Sequence, residues 1–237
     1  MKYIAFLILF PTFCLAQTVG NLKPYYFPYS NFFQPKTYKY VNANNPNDIL
    51  YWHMQTKIVN NDTLFTTTIF DQDFYPLEIL VEKISTQGAR LEKYKLAISG
   101  IMTDSRLIHK DVFQWQQAKD SPIKWSALYK SPFGKESIRK RRTFLKTTKE
   151  FTFQKETYKT ILFKDSFRHS LNNGEEIHTI DFDQETSYAL GIGLVAYQRK
   201  RAKGKTMHYQ LKKIINQKSW IKLKQNPSAV YEPIKRT

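Results

Sequence analysis

The chain has 237 residues, with 37 Lys and Arg against 20 Asp and Glu, a net charge of +17 and 15% aromatic residues. A field this positive attracts anions such as phosphate-rich surfaces and acidic glycans. The abundance of Lys, Asn, Ile, Phe and Tyr is also what AT-rich codons produce, so charge alone does not assign a partner.

Met1-Lys2 is a short positive start, Tyr3–Phe10 an apolar run, and Cys14-Leu15-Ala16 a small-residue cleavage site. Residues 1–16 therefore read as a signal peptide cut after Ala16, which places the protein in a periplasm or outside the cell. The run is too short for a transmembrane helix, which needs about 20 apolar residues, and no later segment reaches that length. Cys14 follows bulky Phe13, a poor fit to a lipidation site. The 221 residues after the leader contain no cysteine, so disulfides, a thiolate metal site and a cysteine nucleophile are excluded there.

Residues 17–36 form a lead rich in Pro and aromatics, whose proline spacing opposes a long helix. Its aromatics are expected to pack on the body or gather at its rim. Residues 37–130 read as an antiparallel meander with a connecting region. Thr37–Val41 and Ile49–Val59 precede an Asn60-Asn61-Asp62 turn into Thr63–Phe70, a hairpin flanked by alternating segments. Pro76–Ile84 puts Leu77, Ile79 and Val81 on one side and Glu78 and Glu82 on the other, and Ala89–Ile98 follows the Gln87-Gly88 turn. Over Leu107–Lys119, the spacing of Ile108, Val112 and Trp115 predicts a short helix. Trp125–Tyr129 is bracketed by Ser121-Pro122 and Ser131-Pro132-Phe133-Gly134.

Residues 131–222 repeat the idiom, with strands expected at Glu136–Thr147, Glu150–Gln154, Glu156–Asp165, Glu176–Asp183, Ser187–Leu190, Leu194–Arg199 and Thr206–Ile215. Residues 223–237 read as a loose basic tail. The fold class is all-β with minor α, either one large curled antiparallel sheet or two fused antiparallel halves.

Tyr188-Ala-Leu-Gly-Ile-Gly-Leu-Val-Ala-Tyr197 is the most distinctive segment. Gly191 and Gly193 lack the third glycine and following helix of a phosphate loop. They read as structural glycines marking a bulge or a close backbone approach, with ligand contact as the other reading. The segment resembles the ending of a family of uncharacterised exported β-sheet proteins, many from Bacteroidota. It is more distantly similar to the half barrels of lipoprotein-localisation factors. The resemblance covers about residues 150–215 and more weakly 37–98, and implies a curled antiparallel sheet.

No catalytic centre is recognisable. His53, His109, His169, His178 and His208 form no close ligand motif, although a hairpin could join His169 and His178 near Asp165 and Glu175. Asp71/Asp73 and Asp181/Asp183 each share a strand face, as a glycosidase pair could, but at strand ends they read better as turn acceptors. No cofactor is expected, and a non-catalytic role is favoured.

Two basic runs are the anion-binding candidates: Arg139, Lys140, Arg141 and Arg142, and Arg199, Lys200, Arg201, Lys203 and Lys205. Because the first run puts charge on both faces of a strand, it is expected at an exposed edge or strand end. The second reads as a hairpin tip. Trp52, Met54, Ile58, Tyr158 and Leu162 are candidates for an apolar groove. The sequence thus points to an envelope protein that binds a lipid or anionic glycan on a curved sheet. The alternatives are a surface protein that docks an envelope protein through its lead, and a hydrolase of envelope polymers. A nuclear-localisation reading of the basic runs conflicts with the leader, and nucleic acid is not an expected partner.

Overall fold

A computed structural model describes residues 18–118, 121–200 and 206–225. The leader, Arg201, Lys203, Lys205 and the chain after Gln225 lie outside the described residues. The strands on the N-terminal side are β1 (Thr18–Val19), β2 (Lys36–Asn42), β3 (Asn45–Val59), β4 (Asp62–Phe70), β5 (Pro76–Ile84) and β6 (Gly88–Ile98). Then come β7 (Ile101–Asp104), β8 (Arg106–Gln114), β9 (Gln117–Ala118), β10 (Ile123–Ser131) and β11 (Gly134–Phe153). The chain continues as β12 (Glu156–Asn172), β13 (Ile177–Ala189), β14 (Gly193–Lys200), β15 (Thr206–Asn216) and a helix, α1 (Gln217–Gln225).

One antiparallel sheet runs β5-β4-β3-β2-β15-β14-β13-β12-β11-β10-β8-β6, and pairing of β5 with β6 closes it into a barrel of twelve strands among the described residues. A single sheet therefore unites the two halves of the chain. Closure leaves no open edge along the wall, and β7 extends β8 along the same side of β6.

The Asn60-Asn61 hairpin forms as expected, with φ of 49° and 66° at the two central residues. Such left-handed values match the twist of tight hairpins and suit asparagine. The helix expected over Leu107–Lys119 is instead β8. Ile108 is skipped in the pairing with β10 and Val112 in the pairing with β6. These two bulges, four residues apart, break the period of two and imitate helical spacing. Bulges also bend β11 near Leu145 and around Lys149–Glu150, so the two strands expected at Glu136–Thr147 and Glu150–Gln154 are one.

The interior is filled by the chain itself. The lead enters the barrel through single 3-10 turns at Lys23–Tyr25 and Tyr29–Asn31, and Leu22, Tyr26, Phe27 and Phe32 are buried in the main core. Tyr26 packs edge-on against Phe65, Phe113 and Trp115 with ring centroids 5.2–6.0 Å apart. Backbone bonds fix the segment: Leu22 N–H to the Trp115 carbonyl (2.8 Å), Thr56 N–H to that of Phe32 (2.9 Å) and Gly191 N–H to that of Pro24 (2.9 Å). Gly193, at φ 97°, is where the wall touches this plug, since a Cβ there would lie 2.5 Å from the Phe27 ring. Each buried aromatic contributes roughly 1.5–3 kcal/mol.

Polar side chains share the interior. The acidic side of β5 faces inward. Glu82 is buried and accepts a hydrogen bond from the Tyr26 hydroxyl, and Glu78 accepts one from Tyr94 at 3.3 Å. Desolvation raises the Glu82 carboxyl to about 7, against smaller opposing effects of Tyr26, Arg142 and Lys140. A carboxyl whose pKa is raised on folding stabilises fully below its unfolded value and loses that contribution as pH rises through the folded one. Stability should therefore fall between pH 4.5 and 7 by an amount on the order of 3 kcal/mol. Glu82→Gln should flatten that slope and be the more stable form at pH 8, as measured by urea denaturation across pH. An unchanged slope would contradict this assignment.

Candidate functional site

The Arg139–Arg142 run is neither at an edge nor at a strand end. It lies mid-strand in β11, between β10 and β12, and its two faces have separate roles. Arg142 points inward and is 3% exposed. Its guanidinium holds Asp165 in a two-point pair (2.7 and 2.8 Å) and donates to the Tyr188 hydroxyl (2.9 Å). Lys140 Nζ lies 2.9 Å from the same carboxylate, and Thr186 donates to it at 2.8 Å. Despite desolvation, these partners hold the Asp165 carboxyl well below its usual range. Desolvation brings Lys140 down to about 8, with Arg142 adding to the fall and Asp165 opposing it. A sheet can bury such charge when every group is paired.

Arg199 also points inward. It donates to Gln184 Oε1 (3.0 and 3.2 Å) and lies over the Phe182 ring (4.5 Å). Lys140, Arg142 and Arg199 are thus engaged by interior partners.

Arg139 and Arg141, alternating with them, are exposed on the outer face. They line an open groove of about 1200 Å³ on the outside of β10–β13. The β10–β11 hairpin that carries it turns through Pro132-Phe133, with Ser131 opposite Gly134. Gly134 is at φ 140° and close to β12, where a Cβ would meet the Asn172 carbonyl at 2.2 Å. The hairpin tip is thereby pinned in register.

That register sets like charges against each other. On β10 and β11, Lys124 is opposite Arg141 and Lys130 opposite Lys135, while Arg139 faces Arg168 of β12. Directly opposed like charges destabilise a sheet by a few tenths of a kcal/mol each or more. Arg168 is offset by Asp181 (2.8 and 2.9 Å) and Lys164 by Asp183 (2.9 Å). Among the described residues Lys124, Arg139 and Arg141 form no salt bridge. Hydroxyls lie among the cations: Ser126 opposite Arg139, Ser166 opposite Arg141, and Ser137 between. Lys200 also lines the groove.

Beyond Leu128, Ser137 and Arg139 the outer face continues into a second groove of about 750 Å³, which Arg106, Lys130 and Lys135 also line. Sequence reading missed Lys124, Lys130, Lys135 and Arg168. Aligning Trp125–Tyr129 with Glu136–Thr147 about the Ser131–Gly134 turn would have paired three of them.

The apolar candidates are not brought together. Met54 is fully buried inside and Trp52 packs between Tyr40 and Phe27. Ile58 is 64% exposed at the end of its strand. Tyr158 is partly buried against the core and bonds Glu156. Leu162 faces outward between buried Ile161 and Phe163. The aromatic lead that was to dock a partner supplies the core instead. His169 and His178 face Ile180 and Leu171 across β12–β13, and His169 Nε2 lies 2.7 Å from both Glu136 and the Tyr129 hydroxyl. Among the described residues no three His, Cys, Asp or Glu side chains are placed to share a metal ion. Asp71 accepts from the backbone of Asp73 (3.0 Å) and Tyr75 (2.9 Å), closing a turn.

No family model matches the chain, and no curated protein matches it. Two solved structures are similar. A candidate lipoprotein of Parabacteroides distasonis aligns with a TM-score of 0.47 at 11% identity, over 76% of this chain and 96% of its own. A candidate exported protein of Bacteroides fragilis, described as having a YmcC-like fold, aligns at 0.49 with 14% identity, over 80% and 98%.

Proposed function

We propose that the chain is an exported, non-catalytic binding protein that holds an anionic envelope ligand on the outside of its barrel, in the groove of β10–β13. The leader pattern supports export. The observation that carries the binding site is the set of like-charge pairs around Arg139 and Arg141, which cost stability in the free protein and leave cations without acidic partners. An anion between them would supply the missing countercharge. Tyr26, Phe27 and Phe32 fill the interior, which leaves the outer surface to meet a ligand.

Elution from immobilised heparin tests the reading. Arg139→Ser/Arg141→Ser should elute at clearly lower salt than the parent. Lys218→Ser/Lys222→Ser, which removes the same charge from exposed positions on α1, should shift elution little. Equal shifts would mean non-specific attraction by net charge and overturn the site. The arginine variant should also be as stable as the parent or slightly more so, because it relieves a like-charge pair.

A further inference from the structure

We propose that the anion is an extended phosphodiester-linked polymer lying lengthwise along the β10–β11 hairpin, a specification that rests on the reading of this groove given above. Unpaired cations continue along the outer face from Lys124 and Arg141 at one end, through Arg139, to the opposed Lys130 and Lys135 beside the turn. The two grooves that they line meet at Leu128, Ser137 and Arg139. Lys135 and Arg141 lie six steps apart along the strand, a track of about 20 Å. A single phosphate would meet one end of it; a chain would meet all of it.

Same-face positions on a strand recur about every 7 Å, which suits charges borne one per repeat on an extended backbone. The chemistry of the lining narrows the class further. Trp125, Phe167 and Phe182 touch the groove from β10, β12 and β13 but alternate inward with the outer cations. Among the described lining residues no Phe, Tyr or Trp face is offered outward, and the one aromatic ring on that side, His109, is held by Ser126 at 2.9 Å. Bases and sugar rings are held largely by stacking on such faces. Ser137 instead presents a hydroxyl among the cations, a donor suited to phosphate oxygens and polyol hydroxyls, while Ser126 is shared with His109 (2.9 Å) and Ser166 donates to Asp183 (2.7 Å). A concave track also suits a strand-like ligand better than a flat bilayer.

The test titrates the full chain with poly(glycerol phosphate) dimer, tetramer and octamer by calorimetry. The tetramer should bind about tenfold or more tightly than the dimer, because each added phosphate releases counterions. The octamer should add little once the track is spanned. Lys130→Ser/Lys135→Ser should reduce tetramer binding toward the dimer's level and weaken the dimer by a smaller factor. Arg139→Ser/Arg141→Ser should weaken both by about tenfold or more, with a melting temperature equal to the parent's or slightly higher.

Equal binding of dimer and tetramer, with the arginine variant still defective, would overturn the extended track alone. Indifference of every oligomer to the arginine variant would overturn the groove as the site. Tighter binding to phosphatidylglycerol vesicles than to the octamer would make the ligand a membrane surface, and tighter binding to single-stranded DNA of equal charge would make it a nucleic acid. Either result would reject the proposal.

Discussion

Asp165→Asn is expected to lose about 3–5 kcal/mol of folding stability, because it leaves Arg142 charged and without its partner inside the barrel. The amide keeps the shape of the carboxylate but removes its charge and turns one acceptor into an NH2 donor among donors, so packing cannot account for the loss. Lys140 can shed its proton, as its lowered pKa indicates; a guanidinium cannot. The converse exchange separates pairing from burial. Arg142→Leu/Asp165→Leu removes both charges and should recover most of the stability, because apolar replacements of a buried pair are often neutral or stabilising. Urea denaturation of the parent, the single and the double variant measures both. A single variant within about 1 kcal/mol of the parent would mean that water reaches Arg142.

The pair also imposes a pH dependence. The Asp165 carboxyl is depressed on folding. Its contribution is present above the unfolded carboxylate pKa and lost as pH falls through the folded one. Glu82 acts in the opposite sense. The two together predict greatest stability near the ordinary carboxylate range, with a decline on either side.

Phe27→Ala is expected to cost about 3–5 kcal/mol, the range for an aromatic removed from a packed core. Phe27 touches Tyr38, Phe65 and Tyr188 with ring centroids 5.7–6.3 Å apart and closes against Gly193. Deleting residues 18–35 should prevent stable folding altogether, because Leu22, Tyr26 and Phe32 leave with it and Glu82 loses its tyrosine. Circular dichroism and thermal denaturation of the two variants check this. A deletion variant that melts like the parent would show the lead to be an appendage.

Where period-two alternation was strict, the sequence was legible: β4 and the asparagine turn lie where residues 60–70 place them, and β3 contains the expected Ile49–Val59 but starts four residues earlier, at Asn45. Legibility failed where two-sided patterns have two physical meanings. Charge on both faces of Arg139–Arg142 reads as exposure, yet a carboxylate 23 residues on makes one face interior. Alternation separates Glu78 and Glu82 from Leu77, Ile79 and Val81 without saying which side is interior, and it is the acidic side that Tyr94 and Tyr26 meet within. Bulges at Ile108 and Val112 imitate a helix because periodicity registers spacing and not pairing. Helix α1 was hidden in a short basic stretch. Trp220 anchors it against Tyr51 and Phe74 (5.4 and 5.5 Å), and such a contact across the chain leaves no local pattern.

The outer groove was half legible. The arginine run marked β11, but the matching lysines of β10 acquire meaning only once the register is known. Binding as proposed requires a closed interior and a ligand met on the outside of the β10–β11 hairpin. Amide and arginine chemical shifts of the full chain, recorded as poly(glycerol phosphate) tetramer is added, test this most directly. The prediction is that shifts concentrate at Lys124, Ser126, Arg139 and Arg141 and leave Tyr26, Phe27 and Glu82 unmoved. Shifts concentrated in the lead and on β5, with the hairpin silent, would contradict it.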